Sequence, residues 1–383
     1  MSAFRTWVVV LAGCFAAGCQ CGRLATESDG GQDSGPIDSG SVDAGPGRDS
    51  GTSDAGVDAG GGGDAGVPDA GVPDSGVSDA GGRDAGTLPD GGCPNPSSGT
   101  LYADVNAVPG GNGSRACPFP NITTALTAAG TAQPVKVVVE PGTYDAQNAQ
   151  ETFPLEVGAN IVLVGDDTVG MSRDVFIIDG SGQLSGVGGN AAVHLVGELD
   201  YMTVRDSTQN ADELVVCDQG NPLLTLSTLT GGNTAALLVA SAGNFGASAS
   251  LTVDNQVDIS GSAGDGIQIS AGSLTVTRSA LHNNANDGVR VIASATAVPQ
   301  VVIGYGMQPV CSINRGANAN DIYCNAQYGV EAPVTGGLLS RVHAEGNAWH
   351  NRPPSSGNAP ADVNDATAVD DSCAAPANTT LCQ

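Results

Sequence analysis

The chain has 383 residues, of which 56 are glycine and only 4% are aromatic, a composition that disfavours a helical core. Hydrophobic residues make up 40% of the chain and favour sheet structure, since Ala, Val, Leu and Ile supply most of them. A formal net charge of −27 and a single lysine, Lys136, exclude a cationic nucleic-acid footprint and disfavour anionic polysaccharides as ligands.

Residues 1–18 are predicted to be a lipoprotein signal peptide, because Arg5 precedes a short apolar run and small residues. The run is too short for a membrane-spanning helix, which needs about 20 apolar residues. The small residues before Cys14 and before Cys19 both resemble the bacterial lipobox; an ordinary signal peptide with incidental cysteines is the alternative. We predict that Cys19 is lipidated, since a cut before Cys14 leaves little apolar length ahead of it. The resemblance implies that Gln20 favours the outer membrane, on its periplasmic or surface face.

Residues 19–92 form a linker in which Asp-Ala-Gly and Asp-Ser-Gly recur, for example from Asp54, Asp64 and Asp74. No large apolar residue recurs there, so nothing can be buried to offset the entropy of ordering. We therefore predict a disordered spacer. The alternative is a calcium-binding β-roll, but its nonapeptide needs a regularly placed apolar residue that the linker lacks.

After Cys93 the sequence becomes rich in short apolar runs bounded by turn residues. Val135–Val139, Ile161–Gly165 and residues 175–180 are predicted to be buried strands. Ile122–Ala129 is predicted to be a short amphipathic helix that caps the first strands.

Further along, a strand triplet recurs five times. Its copies end at Val204, Leu226, Val253, Val276 and Ile303. The copies are 22, 27, 23 and 27 residues apart, and such a period with β-type strands predicts a solenoid. Each coil is expected to stack on the next at about 4.8 Å, the ordinary spacing of strands.

A second repeat indicates which side chains face inward. Residues 264–269 and 286–291 are similar to each other and lie 22 apart. Alternation places Gln268 and Arg290 outside. The four side chains placed inside are Ile267, Ile269, Val289 and Val291. Asparagines near the turns predict left-handed corners and ladders of stacked side chains, at Asn283, Asn284, Asn286, Asn325 and Asn347.

The first part of this region resembles the start of pectin-lyase-like right-handed parallel β-helix proteins, in particular a bacterial lipoprotein subgroup whose activity is not established. The resemblance is carried by LYADVN at 101–106, GGNG at 110–113, CPF at 117–119, TTAL at 123–126, VVVEPGTY at 137–144, TFPL at 152–155 and IVLVG at 161–165. It implies an all-β right-handed parallel β-helix over residues 93–352, followed by a tail over 353–383. It implies a fold and not a function.

Ten cysteines indicate an oxidising compartment. Proximity in the sequence gives three candidate disulfides: Cys93 with Cys117, Cys311 with Cys324, and Cys373 with Cys382. Cys21 and Cys217 are left over, and free thiols remain the alternative for each pair.

Pectate-type lyases of this superfamily hold Ca²⁺ with carboxylates and take a proton with a basic side chain. The matching candidates here are Asp265 and Asp287, with Arg278 and Arg290 expected near in register. Each aspartate precedes a glycine in a turn, where its usual role is to bond the backbone, and we prefer that structural interpretation.

The other candidates are weaker. The four histidines are His194, His282, His343 and His350. None lies in the Gly-His-Gly context of polygalacturonase-type hydrolases, and Asp166 with Asp167 reads as a turn. His343, Glu345 and His350 lack the paired spacing of zinc ligands, so no metal is expected. Trp349 is either a sugar platform or a cap on the last coil, and we prefer the cap.

These observations favour an envelope-tethered module that binds glycans or envelope components through its β-helix. No catalytic residue and no cofactor are predicted. Two alternatives remain: a carbohydrate-active enzyme, either a polysaccharide lyase or a glycoside hydrolase, and an adhesin or assembly protein that uses the flat faces of the solenoid.

Overall fold

The computed structural model describes residues 92–130, 134–186, 189–241, 248–293, 298–304, 319–332, 342–344, 346–350, 355–356, 359, 361–364, 369–370 and 375–376. The predicted signal peptide, and the predicted linker as far as residue 91, lie outside these residues. No helix in the described ranges is long and apolar enough to cross a membrane.

The described strands form three sheets that run along a right-handed parallel β-helix, as the sequence predicts. The strands of sheet 1, in stacking order, are Thr100–Ala103, Val135–Val139, Ile161–Gly165, Glu198–Asp200, Leu223–Thr225, Ser250–Asp254, Ser273–Val276, Gln300–Ile303, Val342–His343 and Val369–Asp370. Each strand pairs in parallel with the next, because the chain returns to the same sheet once per coil.

Sheets 2 and 3 complete each coil. The strands of sheet 2 are Gly142–Tyr144, Phe176–Asp179, Thr203–Arg205, Thr228–Thr230, Asp258–Ser260, Ala280–His282, Asp321–Tyr323, Ala348–Trp349 and Ala375–Pro376. Those of sheet 3 are Leu155–Val157, Asn190–Leu195, Glu213–Cys217, Ala235–Val239, Asp265–Ile269, Val289–Val291, Tyr328–Glu331 and Ala361–Val363. The short strand Gly182–Gln183 adds an antiparallel pairing to Asn190–Leu195.

The parallel stacking continues into the segment that was predicted to be a separate tail. Ala361–Val363 pairs with sheet 3, Val369–Asp370 with sheet 1, and Ala375–Pro376 with sheet 2. The ladders therefore extend beyond residue 352.

The predicted helix is present as Ile122–Ala129, and it packs against the strands Thr100–Ala103, Val135–Val139 and Leu155–Val157. The side chain of Asn121 accepts a hydrogen bond from the Thr124 N–H at 2.8 Å, which satisfies one of the unpaired donors of the first turn. The helix ends at Gly130, whose φ of 62° favours glycine. Ile122 and Leu126 bury their side chains against the strands. Two 3₁₀ turns, Asp167–Val169 and Arg173–Val175, lie between sheets 1 and 2.

The predicted facing of the second repeat is confirmed. Ile267 pairs with Val289, and Gln268 pairs with Arg290, so the 22-residue step preserves the register. Ile267 and Ile269 are 0% exposed in the interior, whereas Gln268 and Arg290 lie on the outer face. Inward side chains of successive coils therefore stack into one apolar core.

Two of the five predicted triplets depart from the predicted stacking. Thr203 and Val204 of the first triplet belong to sheet 2, whereas the last three triplets belong to sheet 1. In the second triplet Leu224, and not Leu226, stacks on Val253. Leu226 turns the corner with a φ of 46°. A triplet of apolar, threonine and apolar residues fits a strand of any sheet, so it does not by itself specify the column.

The corners are left-handed and carry stacked polar side chains. Four residues that each precede a sheet 2 strand by two positions have positive φ angles: Tyr201 at 54°, Leu226 at 46°, Gln256 at 64° and Arg278 at 51°. Beyond sheet 2, Asn284 Nδ2 donates to Asn325 Oδ1 at 2.9 Å. Asn320 Nδ2 donates to Asn347 Oδ1 at 3.0 Å at the other corner. The predicted stacking is confirmed for Asn284, Asn325 and Asn347, and it satisfies polar groups that would otherwise be buried unpaired. Of the five predicted asparagines only Asn283, at 53°, has a positive φ.

Candidate functional site

A groove of about 670 Å³ lies between the helix Ile122–Ala129 and the first strands of sheet 3. Its apolar lining includes Leu126, Pro154, Ile161 and Val196. Its polar lining includes Glu156, His194, Gln219 and two threonines of the helix. A concave surface that combines apolar area with a few fixed polar groups is typical of a ligand site.

A buried glutamate fixes the helix that forms one wall of the groove. Glu151 accepts hydrogen bonds from the backbone N–H of Ile122 at 2.6 Å and of Thr123 at 2.8 Å. The Thr123 hydroxyl donates to the same carboxylate at 2.5 Å. A carboxylate at a helix N-terminus satisfies unpaired donors and interacts favourably with the helix dipole. The helix is therefore held against the strand that follows Glu151.

The other wall lies at the outer face of sheet 3, where three charged side chains contact one another: Glu156, His194 and Asp218. We call these three residues the charged triplet. Glu156 and His194 pair directly across adjacent coils, and their chain neighbours face the core. His194 Nδ1 lies 2.6 Å from Glu156 Oε2, and its Nε2 lies 2.9 Å from Asp218 Oδ1. An ionised carboxylate only accepts hydrogen bonds, so two such neighbours favour a proton on each ring nitrogen. The two carboxylates therefore stabilise the imidazolium form of His194.

The protonation of His194 follows from a balance of two effects. Burial of the ring lowers the pKa of His194, because it disfavours the charged form. Hydrogen bonds to Asp218 and Glu156 and their negative charges raise it, and the net effect is a pKa above the ordinary value. Glu156 is the exposed member, with 64% of its side chain accessible, so it offers carboxylate oxygen to the groove.

The two aspartates proposed for lyase chemistry do lie side by side, as predicted. The Asp287 backbone N–H donates to Asp265 Oδ1 at 3.2 Å. Each residue is only 1% exposed. Burial, a hydrogen bond with Glu331 and the charges of Asp265 and Glu331 raise the pKa of Asp287 to about 8. Groups buried to this degree do not contact a substrate, so the geometry agrees with a structural role.

Only one of the two predicted basic partners joins these aspartates. Arg290 Nε lies 3.1 Å from Glu331 Oε2, and Arg290 Nη1 lies 3.9 Å from Asp265 Oδ2. Arg278 instead donates from Nε to Asp254 at 2.8 Å. Arg278 lies at the corner between sheets 1 and 2, where its left-handed backbone turns the chain. The expectation that both arginines lie near the aspartates was wrong for Arg278.

The remaining candidates have structural roles. Asp166 accepts from Thr168 and pairs with Arg115 at 3.1 Å, in the turn that the sequence predicts. Trp349 is 0% exposed within the core, so it packs inside the coils and is not a sugar platform. His282 stacks on Tyr323 with ring centroids 4.9 Å apart and lies 3.2 Å from Asp258 Oδ2.

Possible metal ligands do not converge in the described ranges. No group there brings together three His, Cys, Asp or Glu side chains at a metal-binding spacing. His343 and His350 are described, whereas Glu345 lies outside those ranges.

The predicted disulfide between Cys93 and Cys117 is formed, with Cα atoms 5.6 Å apart, and it ties the chain before sheet 1 to the following loop. Cys324 is also disulfide-bonded, and its partner is not among the described residues, so its pairing with Cys311 stays a prediction. Cys217 is a free thiol in the core, and burial raises its pKa. Cys14, Cys19, Cys21, Cys373 and Cys382 lie outside the described ranges.

The charged triplet in the groove was missed at the level of sequence, although His194 was noted. The sequence does contain a pattern that could have indicated this pair. Glu156 and His194 each lie between two apolar residues, in Leu-Glu-Val and Val-His-Leu, so both are expected to face outward from their strands. Those tripeptides lie 38 residues apart, because a loop with an extra hairpin strand intervenes. The 22-residue period therefore did not align them.

Comparison with known proteins gives one match. A family model described as "Protein of unknown function (DUF1565)" matches residues 107–319. No curated protein and no solved structure matches the chain. The matched segment begins after the strand Thr100–Ala103 and ends before the strand Asp321–Tyr323. Since it covers more than half of the chain, the protein belongs to the DUF1565 family.

Proposed function

We propose that this protein is a glycan-binding β-helix module, held at the outer membrane by a lipid on Cys19. The groove beside the helix is the observation that carries the proposal. Partly exposed apolar side chains such as Pro154 and Val196 offer surface to the C–H face of a sugar ring. Glu156 and Gln219 offer hydrogen-bonding groups to its hydroxyls.

The charges of the groove indicate the class of glycan. Glu156 and His194 line the groove, and Asp218 contacts His194 without itself lining it, so two carboxylates stand against one imidazole. No Lys or Arg is among the described residues that line this groove. The whole chain carries a net charge of −27. Uronic-acid polymers are therefore repelled, whereas neutral sugars are accepted and amino sugars with an ammonium group are attracted.

Binding is favoured over catalysis by the state of the groove histidine. A general base needs an accessible nitrogen lone pair, and both nitrogens of His194 lie within hydrogen-bonding distance of carboxylates that stabilise the protonated ring. The other acidic pair, Asp265 with Asp287, is buried. We therefore propose a binding role, and we make turnover of sugar an outcome of the test.

The proposal also includes kinship with pectin-lyase-like proteins and membership of a lipoprotein subgroup. The motifs from residue 101 to residue 165 and the three parallel sheets support the kinship. The apolar run and small residues before Cys19 support the lipid anchor.

The binding role is tested with a glycan array and a reducing-sugar assay on the full chain. We expect chitosan and chitin oligomers to bind and oligogalacturonate not to bind. Glu156→Gln should weaken chitosan binding, because it removes the exposed negative charge of the groove. Glu198→Gln, on the outer face of sheet 1, is the matched control and should bind as the wild type does.

Two results would contradict this role. Release of reducing ends from any bound glycan would make the protein an enzyme. Preferential binding of oligogalacturonate would reverse the charge argument.

A further inference from the structure

Another cavity, of about 480 Å³, lies at the corner between sheets 1 and 2 and shares no lining residue with the groove beside the helix. Residues of three successive coils line it, together with an arginine from an earlier coil. Its charged and amide side chains are Arg173, Asn255, Gln256, Asp258, Arg278 and Asp321. Sites for small molecules have volumes of about 300–1,000 Å³, so the cavity is large enough for a small polar ligand.

Arg173 is the one arginine in the described ranges that forms no ion pair with a carboxylate. The other four described arginines each form one: Arg115, Arg205, Arg278 and Arg290. Arg173 instead donates from Nη1 to the backbone carbonyl of Gln256, which leaves its Nε and Nη2 donors available. The chain has 40 acidic and 13 basic residues, so an arginine without a carboxylate is unexpected. Its planar group can bind the anionic group of a ligand with two parallel hydrogen bonds.

Arg278 brings a second guanidinium group to the same cavity. It donates to Asp254 from Nε and Nη2, and 44% of its side chain is exposed. The two hydrogens on its Nη1 therefore remain available as donors. Both arginines bond to the corner segment 254–256, because Arg173 donates to Gln256 there. Two guanidinium groups thus lie beside one corner of the solenoid.

Two carboxylates line the cavity on the side of sheet 2. Asp258 and Asp321 occupy equivalent positions on two strands, and Ala280 lies between them on the intervening strand. Two strand spacings, roughly 10 Å, separate the two aspartates along the sheet. Ala280 places only a methyl group between them, so a ligand can approach either carboxylate.

Asp258 is ionised and lies close to Arg173. Burial raises the pKa of Asp258, but hydrogen bonds from His282 and Ser260 and the charges of His282 and Arg173 lower it further, to below the ordinary value. The carboxylate therefore carries its negative charge at neutral pH. Since the charge of Arg173 acts on Asp258, a cation and an anion of the lining are neighbours.

We propose that this cavity binds a free α-amino acid, with the carboxylate of the ligand on Arg173 and Arg278 and its ammonium group on Asp258. A phosphate or sulfate group would be repelled by the two aspartates, and an amine without an anionic group would be repelled by the two arginines. An α-amino acid carries both charges on one carbon, which matches the neighbouring charges of Arg173 and Asp258. The site is separate from the glycan groove and adds a second ligand class to the protein.

Isothermal titration calorimetry of the full chain with glycine tests the site. Glycine is the smallest ligand with both charges, whereas acetate and methylammonium each carry one of them. We expect glycine to bind the wild type at least about tenfold more tightly than either of these ions, because each lacks one charge-assisted contact. Arg173→Gln should weaken glycine binding at least about tenfold for the same reason. Lys136→Gln is the matched control, since it removes one positive charge from an exposed residue of sheet 1, and it should bind glycine as the wild type does.

The comparison of the three ligands uses the wild type alone, so it holds even if Arg173→Gln fails to fold. Circular dichroism at the temperature of the titration shows whether that variant is folded. Absence of glycine binding to the wild type would overturn the proposal. Equally tight binding of acetate or methylammonium, or undiminished glycine binding by folded Arg173→Gln, would overturn it as well.

Discussion

Truncation of Ile267 to alanine tests the coil register most sharply. Ile267 is 0% exposed and stacks between Leu237 and Val289 in the adjacent coils. The change removes three carbons from a packed interior. At about 0.8 kcal/mol per buried carbon, the transfer loss is about 2.4 kcal/mol, and the cavity adds to it. We therefore expect a loss of about 3–4 kcal/mol.

Two outward residues provide the controls. Thr275 lies between Leu274 and Val276 on sheet 1 and faces out, so Thr275→Ala should cost less than about 0.5 kcal/mol. Gln268 faces out but donates from Nε2 to the buried Asp265 Oδ2 at 2.8 Å. Gln268→Ala should therefore cost about 1–2 kcal/mol, through the hydrogen bond that Asp265 loses.

Thermal melting of the full chain is the assay. A loss of about 3–4 kcal/mol should lower the melting temperature by about 6–16 °C in a domain of this size. Thr275→Ala should stay within about 2 °C of the wild type. Equal shifts in Ile267→Ala and Thr275→Ala would refute the register, because they would mean that the two side chains are equally buried.

Three further predictions concern ionisation and anchoring. Because the pKa of Asp287 is raised to about 8, stability falls as pH rises from about 4 to 8, by at most about 1.4 kcal/mol per pH unit. Asp287→Asn keeps the acceptor for the Tyr328 N–H and should flatten this part of the pH–stability curve; an unchanged slope would contradict the cause. Because the folded state raises the pKa of His194, protonation of this ring stabilises the fold. The stabilisation is full at pH values below about 6.5, and it is lost as pH rises through the folded pKa. The free energy of unfolding, measured by denaturation at pH 6 and 8.5, should differ less between the two pH values in His194→Gln than in the wild type. Radiolabelled palmitate should enter the wild type and be lost in Cys19→Ser, whereas loss only in Cys14→Ser would move the anchor.

Much of the solenoid could be predicted from sequence, because each coil repeats a local pattern. Alternation around Ile267 and the 22-residue step to Val289 specify a facing that holds in the structure. Asparagines such as Asn284 and Asn325 predict stacked corners, since an amide both donates and accepts along a stack.

The candidate site was harder to predict, because it depends on irregular parts of the coils. Glu156 and His194 become neighbours only after a loop of uneven length is accommodated. Arg278 was misplaced because a residue at a left-handed corner does not share the facing of the next strand.

Hydrogen–deuterium exchange of the full chain with and without a chitosan pentamer tests the central claim most directly. The groove predicts added protection in the helix Ile122–Ala129 and in the strands Leu155–Val157 and Asn190–Leu195. Asp258–Ser260 and Ala280–His282 of sheet 2 should exchange as in the free protein. Protection confined to sheet 2, or no protection at all, would contradict a glycan-binding groove beside the helix.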